Sequence, residues 1–163
     1  MIEIVRITGD RKPVLLGKNG SVKKRIEEAT GTSIEVSGVV EISGEDPVSV
    51  LKAKEIVTAI SRGFIPKKAM RLAEDDCELR IVSLEGETLK KRKRLFGRVI
   101  GRGGSSRKRI ESETGASVCI KGKTVSIIGM PDEAGPAEAA VEELLSGKTH
   151  AWAYRKMYRG MES

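Results

Sequence analysis

One pattern occurs twice in this chain, and that repetition limits the possible folds more than any other feature. Residues 15–36 read "LLGKNGSVKKRIEEATGTSIEV" and residues 99–120 read "VIGRGGSSRKRIESETGASVCI", with ten of 22 positions identical at an offset of 84. Several of the rest are close exchanges: Leu16 for Ile100, Lys18 for Arg102, Lys23 for Arg107. The match extends outward, "VVEISG" at 39–44 answering "TVSIIG" at 124–129 and "IEIVRI" at 2–7 answering "LRIVSL" at 79–84. Two copies at so long a period describe a duplicated domain, not a solenoid.

The pattern within one copy predicts its elements. Ile2–Ile7 alternates apolar and polar residues over much of its length, as a half-buried strand does. Pro13 opens a short helix that breaks at Gly17. A second helix starts near Ser21, expected as its N-cap, with Val22, Ile26 and Ala29 on one face, and stops at Gly31. Ile34 and Val36, then Val40 and Ile42, supply two strands. Pro47 sits in the first turn of a last helix, whose apolar face is expected to hold Val50, Leu51, Ala53, Val57 and Ile60. Strand, helix, helix, strand, strand, helix is an α+β arrangement with helices on one face of a three-stranded sheet.

The expected division is a first domain at 1–63, a connector helix at 64–76, a second domain at 77–147 and a tail at 148–163. The connector, "FIPKKAMRLAEDD", is too apolar for a free linker and is expected to pack. The tail has no counterpart in the first copy and is expected to form a helix that docks Trp152 and Tyr154 on a domain or a partner.

Composition narrows the class. A net charge of +7 and a pI near 9.5 suit a polyanionic partner. No apolar run approaches the length of a membrane span, and the first residues lack the form of a signal peptide, so a cytoplasmic protein without a membrane partner is expected. Cys77 and Cys119 form no CxxC and read as buried, reduced thiols. Aromatics make up 3% of the chain, and three of them, Trp152, Tyr154 and Tyr158, fall in the tail. Base stacking on sheet aromatics is therefore not the mode of this chain.

Glycine-rich turns that open helices hold phosphates, because backbone N–H groups converge there unobstructed. The copies share G-x-x-G followed by Ser, at Gly17–Gly20 and Gly101–Gly104, with Asn19 where the second copy has Gly103. Neither holds a Walker loop. The first lacks G-x-G-x-x-G, and in the second the expected strand ends well before the glycines, so a mononucleotide is the minor reading. Charge adds to this. A helix N-terminus disfavours cations, yet the first turns carry Lys23, Lys24 and Arg25, and again Arg107, Lys108 and Arg109. From Lys90 to Arg109, ten of twenty residues are basic and none is acidic.

A G-x-x-G loop between two short helices in this strand–helix order resembles the KH domain, type I, and both copies fit. The resemblance implies a loop that clamps the backbone of about four single-stranded nucleotides, with the bases in an aliphatic groove. It implies RNA contacts from Gly101, Arg102, Gly103, Gly104 and Ser105, with Arg98, Arg107 and Lys108 on phosphate and Ile100, Val118 and Ile120 lining the groove. In the first copy it implies Gly17, Lys18, Asn19, Gly20, Lys23 and Lys24. Leu16, Val22 and Ile34 are groove or core, while Ile26 and Ile110 read as core.

Over nearly the whole chain, "GFIPKKAMRL", "KKRKRLFGRVIGRGG" and "HAWAYRKMY" resemble the PNO/Dim-type ribosome-assembly factors. That implies single-stranded RNA at the 3′ end of small-subunit ribosomal RNA. It also implies a Nob-type endonuclease or a translation initiation factor subunit as protein partner. The intact "GKNG" and the absence of an N-terminal extension resemble an archaeal member.

Catalytic residues, metal ligands, cofactors and a small-molecule substrate are not expected. His150 has no evident acidic partner, and the carboxylates of "AEDDCE" read as caps and solvated charge. Two other readings stay open: a protein-interaction scaffold on the ribosome with only non-specific RNA affinity, and, more remotely, a nucleotide-dependent enzyme.

Overall fold

The computed structural model describes residues 1–162 and divides into two compact units, Met1–Asp75 and Asp76 onward. In the first, β1 (Ile2–Val5), α1 (Lys12–Leu16), α2 (Ser21–Thr30), β2 (Ser33–Val36), β3 (Val40–Ser43) and α3 (Pro47–Ser61) follow in order. The sheet is antiparallel with order β1-β3-β2, so the last strand in sequence lies in the middle. Pairing runs through Ile4 opposite Glu41 and Ile34 opposite Ile42. The element order along the chain and the three-stranded sheet are those expected from the sequence.

Local chemistry places these elements. Asp46 caps α3 by accepting the Val48 N–H at 3.2 Å and the Ser49 hydroxyl at 2.9 Å, with Pro47 at the first helical position. Leu15, Ile26, Ile34, Ile42, Val57 and Ile60 are fully buried between sheet and helices. Two expected positions differ. Ala29 and Leu51 are exposed, and Thr30 joins Ile26 inside, its hydroxyl donating to the Ile26 carbonyl at 2.7 Å. In β1 it is Glu3 that turns inward, to Lys54 at 3.0 Å, while Ile2 and Ile4 face out. Beyond α3, α4 (Pro66–Ala69) and a following 3₁₀ turn at Met70–Ala73 lie against α3, burying Ala69 and Leu72.

The second unit repeats the plan with β4 (Glu78–Ser83), α5 (Leu89–Ile100), α6 (Ser105–Thr114), β5 (Ser117–Lys121), β6 (Thr124–Gly129) and α7 (Pro131–Leu145). Its sheet order is β4-β6-β5, antiparallel throughout. Phe96, Val99, Ile110, Val118, Ile127, Val141 and Leu144 form its core. Where α1 has five residues, α5 has twelve and takes up six of the ten basic residues between Lys90 and Arg109. Thr88 caps it by accepting the Lys91 N–H at 3.2 Å. The tail forms α8 (His150–Met161), capped by Thr149, which lies along α7 with Ala153 and Met157 buried.

A carboxylate joins helix to strand in the same way in both units. Glu27 on α2 accepts the Ile34 N–H at 2.8 Å and pairs with Lys23 at 3.2 Å. Glu111 on α6 accepts the Val118 N–H at 2.9 Å and pairs with Arg107 at 2.7 Å. Each ties the start of an edge strand to the helix that follows the glycine turn. Replacing Glu111 by Ala leaves the Val118 N–H without its acceptor and should cost about 1–3 kcal/mol in a urea titration followed by circular dichroism. Glu111→Gln keeps a carbonyl acceptor and should cost less.

Candidate nucleic-acid interface

The two glycine turns have the same backbone. Gly17 stands at φ 70°, ψ −178° and Gly101 at φ 74°, ψ 173°, a region open in practice only to glycine. A Cβ on Gly17 would lie 2.4 Å from Val22 Cγ2, and one on Gly101 would lie 2.7 Å from the Ser106 backbone nitrogen. Two residues on, Asn19 (φ 57°) and Gly103 (φ 60°) are both left-handed, with open space around Gly103. Asparagine tolerates that conformation, which is why this glycine can be exchanged and the first cannot.

Ser21 is not the N-cap of α2. That position belongs to Gly20, left-handed at φ 73°, as Gly104 at φ 79° precedes α6, and no side chain caps either helix. The turn therefore brings two uncapped helix starts to the surface, where backbone N–H groups and the helix dipole favour an anion. Neither first turn contains an acidic residue.

The basic residues expected at these turns have separate roles. Lys18, Asn19 and Lys24 in the first unit, and Arg102, Gly103, Ser105 and Lys108 in the second, are exposed at or beside the turn. Lys23 and Arg107 are half-buried and engaged with Glu27 and Glu111, so part of the misplaced helix charge is neutralised one turn later. Arg98 is held elsewhere. Its Nε donates to the Leu144 carbonyl at 3.0 Å and its Nη2 to the Lys148 carbonyl, so its charge sits at the carboxyl end of α7. Arg109 lies under the Tyr154 ring, 4.0 Å from its centroid, and donates to the Tyr158 hydroxyl at 3.1 Å. That hydrogen bond raises the guanidinium pKa above its ordinary value.

Beside the second turn a shallow groove is lined by Ile100, Arg107, Val118, Cys119 and Ile120. Ile100 is 37% exposed, Ile120 is half-buried and Val118 forms part of the floor. Cys119, expected as a buried thiol, is half-buried in this wall, whereas Cys77 is buried. Alternation along β5 was the signal that could have taken Cys119 off the buried face that Val118 occupies. Ile26, Ile34 and Ile110 are core, and Leu16 and Val22 are half-buried beside the first turn. Among the described residues no group of three or more His, Cys, Asp or Glu could hold a metal ion. The same residues include no helix long and apolar enough to cross a membrane.

A turn of this form between two helices, on a sheet of order β1-β3-β2, defines a tandem type I KH protein. Residues 2–59 match the KH domain, and residues 78–162 match the eukaryotic-type KH domain, KH type I, in its second-domain PNO form. The chain belongs to the KH-domain family of PNO/Dim type. A KH domain-containing protein of Methanocaldococcus jannaschii is 44% identical over 166 residues, 97% of this chain and 73% of that protein. The structure of Dim2p from Pyrococcus horikoshii is similar with a TM-score of 0.88 and 42% identity, covering 98% of this chain and 99% of that one. A complex of a/eIF2alpha, aDim2p and rRNA from the same organism matches equally, with TM-score 0.88 and 42% identity over 98% of this chain and 93% of that one.

The turn geometry predicts opposite outcomes for two neighbouring glycines. Gly101→Ala should destabilise the second unit by about 2 kcal/mol or more, since the residue must enter a glycine-only region against Ser106. Gly103→Asn should leave stability within about 0.5 kcal/mol. Thermal unfolding of the two variants side by side checks both.

Proposed function

We propose that this chain is a non-catalytic adaptor that grips single-stranded RNA through its second KH unit, at the 3′ end of small-subunit ribosomal RNA during ribosome maturation. The observation that carries this reading is the turn at Gly101–Gly104, closed to a side chain at Gly101 and opening a helix that no side chain caps, next to an aliphatic groove. The strand's phosphates sit over the turn against the start of α6, with Arg102 and Lys108 beside them. Bases lie along Ile100, Val118 and Ile120, where shape and apolar contact select them in place of stacking. Arg107 reaches the same groove from its pairing with Glu111 and supplies a third cation.

The complex of a similar protein with rRNA supports an RNA of this class, and the a/eIF2alpha in it supports an initiation factor subunit as one protein partner. A Nob-type endonuclease is the other partner class of this reading. The first unit keeps the same turn, with Lys18, Lys24 and Arg25 exposed, and acts as a secondary grip on the strand.

Titration with single-stranded RNA of the small-subunit rRNA 3′ end across a salt series tests the proposal. With three cations on phosphate, log K should fall against log salt with a slope of about −2. The pair Arg102→Asp and Gly103→Asp places two carboxylates in the turn without straining it, because aspartate also accepts the left-handed region. It should abolish most of the affinity while the circular dichroism spectrum is kept. Undiminished binding by that folded variant would refute the assignment.

A further inference from the structure

The last helix supports the core with one face, and its outer face is built differently. His150, Ala153, Tyr154, Met157 and Tyr158 turn towards the unit, where the Tyr154 hydroxyl meets Ser106 Oγ at 3.2 Å and His150 Nε2 lies 2.9 Å from the Arg98 carbonyl oxygen. These contacts seat α8 against the end of α5 and the start of α6, the two elements that flank Gly101–Gly104. Its opposite side carries Trp152, Arg155, Lys156 and Arg159, spaced i, i+3, i+4, i+7, and together they line one shallow groove.

Three features of that stripe have no structural purpose in the fold. Trp152 is 45% exposed, although burial is where an indole contributes most to stability. It is nonetheless held, its Nε1 donating to Glu143 Oε2 on α7 at 2.9 Å. Arg155, Lys156 and Arg159 are exposed, and none forms an ion pair among the described residues. The Arg155 guanidinium and the Lys148 ammonium each lie over the Trp152 ring, 5.6 Å from its centroid, so a base stacking there displaces at least one of them. An anchored aromatic with displaceable cations over its ring suits a stacked base whose flanking phosphates take up those cations.

We infer that the outer face of α8 is a second single-stranded RNA site, on which a strand leaving the Gly101–Gly104 turn stacks a base on Trp152 and lays its phosphates along Arg155, Lys156 and Arg159. This rests on the reading above that the turn holds RNA, and it extends the footprint beyond the nucleotides a KH loop clamps. The charge of the stripe favours a polyanion, and the phosphate turn on the same unit favours one continuous polyanion over a separate acidic protein.

Trp152 is the only tryptophan in the chain, so its emission reports on this face alone. The full chain would be titrated with four-nucleotide and twelve-nucleotide RNAs of the small-subunit rRNA 3′ end. The longer RNA should quench the emission and show a salt slope of about −4, six cations being engaged. The shorter should bind with a slope of about −2 and leave the emission unchanged. The triple variant Arg155→Glu, Lys156→Glu, Arg159→Glu should lose at least tenfold in affinity for the longer RNA only, and its slope should return to that of the shorter. Trp152→Ala should lose about tenfold, again for the longer RNA only.

The inference is overturned if the twelve-nucleotide RNA binds the wild-type chain without changing its emission, or if the triple variant binds it unaltered. It is also overturned if polyglutamate quenches Trp152 at lower concentration than the RNA does, which would make the stripe a surface for an acidic protein. Failure of the underlying reading is distinguishable, because it appears as unchanged four-nucleotide binding by the Arg102→Asp, Gly103→Asp variant.

Discussion

At Gly17, and again at Gly101, the chain must leave one helix and start another with φ near +70° and ψ near 180°, and a Cβ there would collide with Val22 or with Ser106. Much of each unit depends on that turn. It places two helix ends side by side, leaves the second helix without a capping side chain, and leaves Arg102 or Lys18 exposed at its tip. A tighter or more strongly capped connection would gain some stability and lose the anion site. The same backbone occurs in both copies although fewer than half of the repeated positions are identical. The constraint therefore acts on conformation, and the side chains vary where conformation allows: Asn19 against Gly103 is the clearest case.

The cost of cations at a helix start is met inside the helix. Glu27 and Glu111 lie one turn beyond Lys23 and Arg107, and each also accepts an N–H from the neighbouring edge strand. One carboxylate thus offsets part of the charge and fixes the strand that walls the groove. The site's electrostatics and its shape are coupled through that group, so loss of the carboxylate disturbs both. Cations without such a partner, Lys108 and Arg102 above all, are the ones available to a ligand.

The fold was legible because duplication separates pattern from accident. The order of elements along the chain, the helices on either side of each glycine turn, the stops at Gly31 and Gly115 and the Pro-led last helices all follow from residues that occur twice. What was not legible depended on direction in space. Arg98 read as a phosphate ligand, because a basic residue near a glycine turn looks like one. In the structure its guanidinium holds the carboxyl end of α7, some fifty residues away in sequence. Ala29 and Leu51 matched an apolar helix face in spacing but fall just outside the arc that the sheet covers. Cys119 looked like a buried thiol, but β5 is an edge strand and Cys119 lies half-buried along the groove. Ser21 has the right chemistry for a cap, and the left-handed glycine before it takes the position instead.

The two copies share a turn but not its surroundings, and that difference separates their roles. Around the first turn the preceding helix is five residues long, and no element of the second unit's tail type follows α3. Around the second, α5 extends to twelve residues and α8 packs against the core, so Arg98, Arg109 and His150 are all committed to holding that tail in place. An addition that served stability alone would bury its aromatic residues and leave its outer face mixed in charge. Here Tyr154 and Tyr158 go inward with Arg109, while Trp152 stays out with three cations that form no ion pair among the described residues. Inward aromatics anchor the helix, and the outward one is left to a ligand. Because the anchoring contacts reach Ser106 and the Arg98 backbone, whatever binds the outer face is held in register with the Gly101–Gly104 turn. On the proposed reading, the second unit combines a backbone grip with a place for bases further along the same strand, whereas the first offers the grip alone.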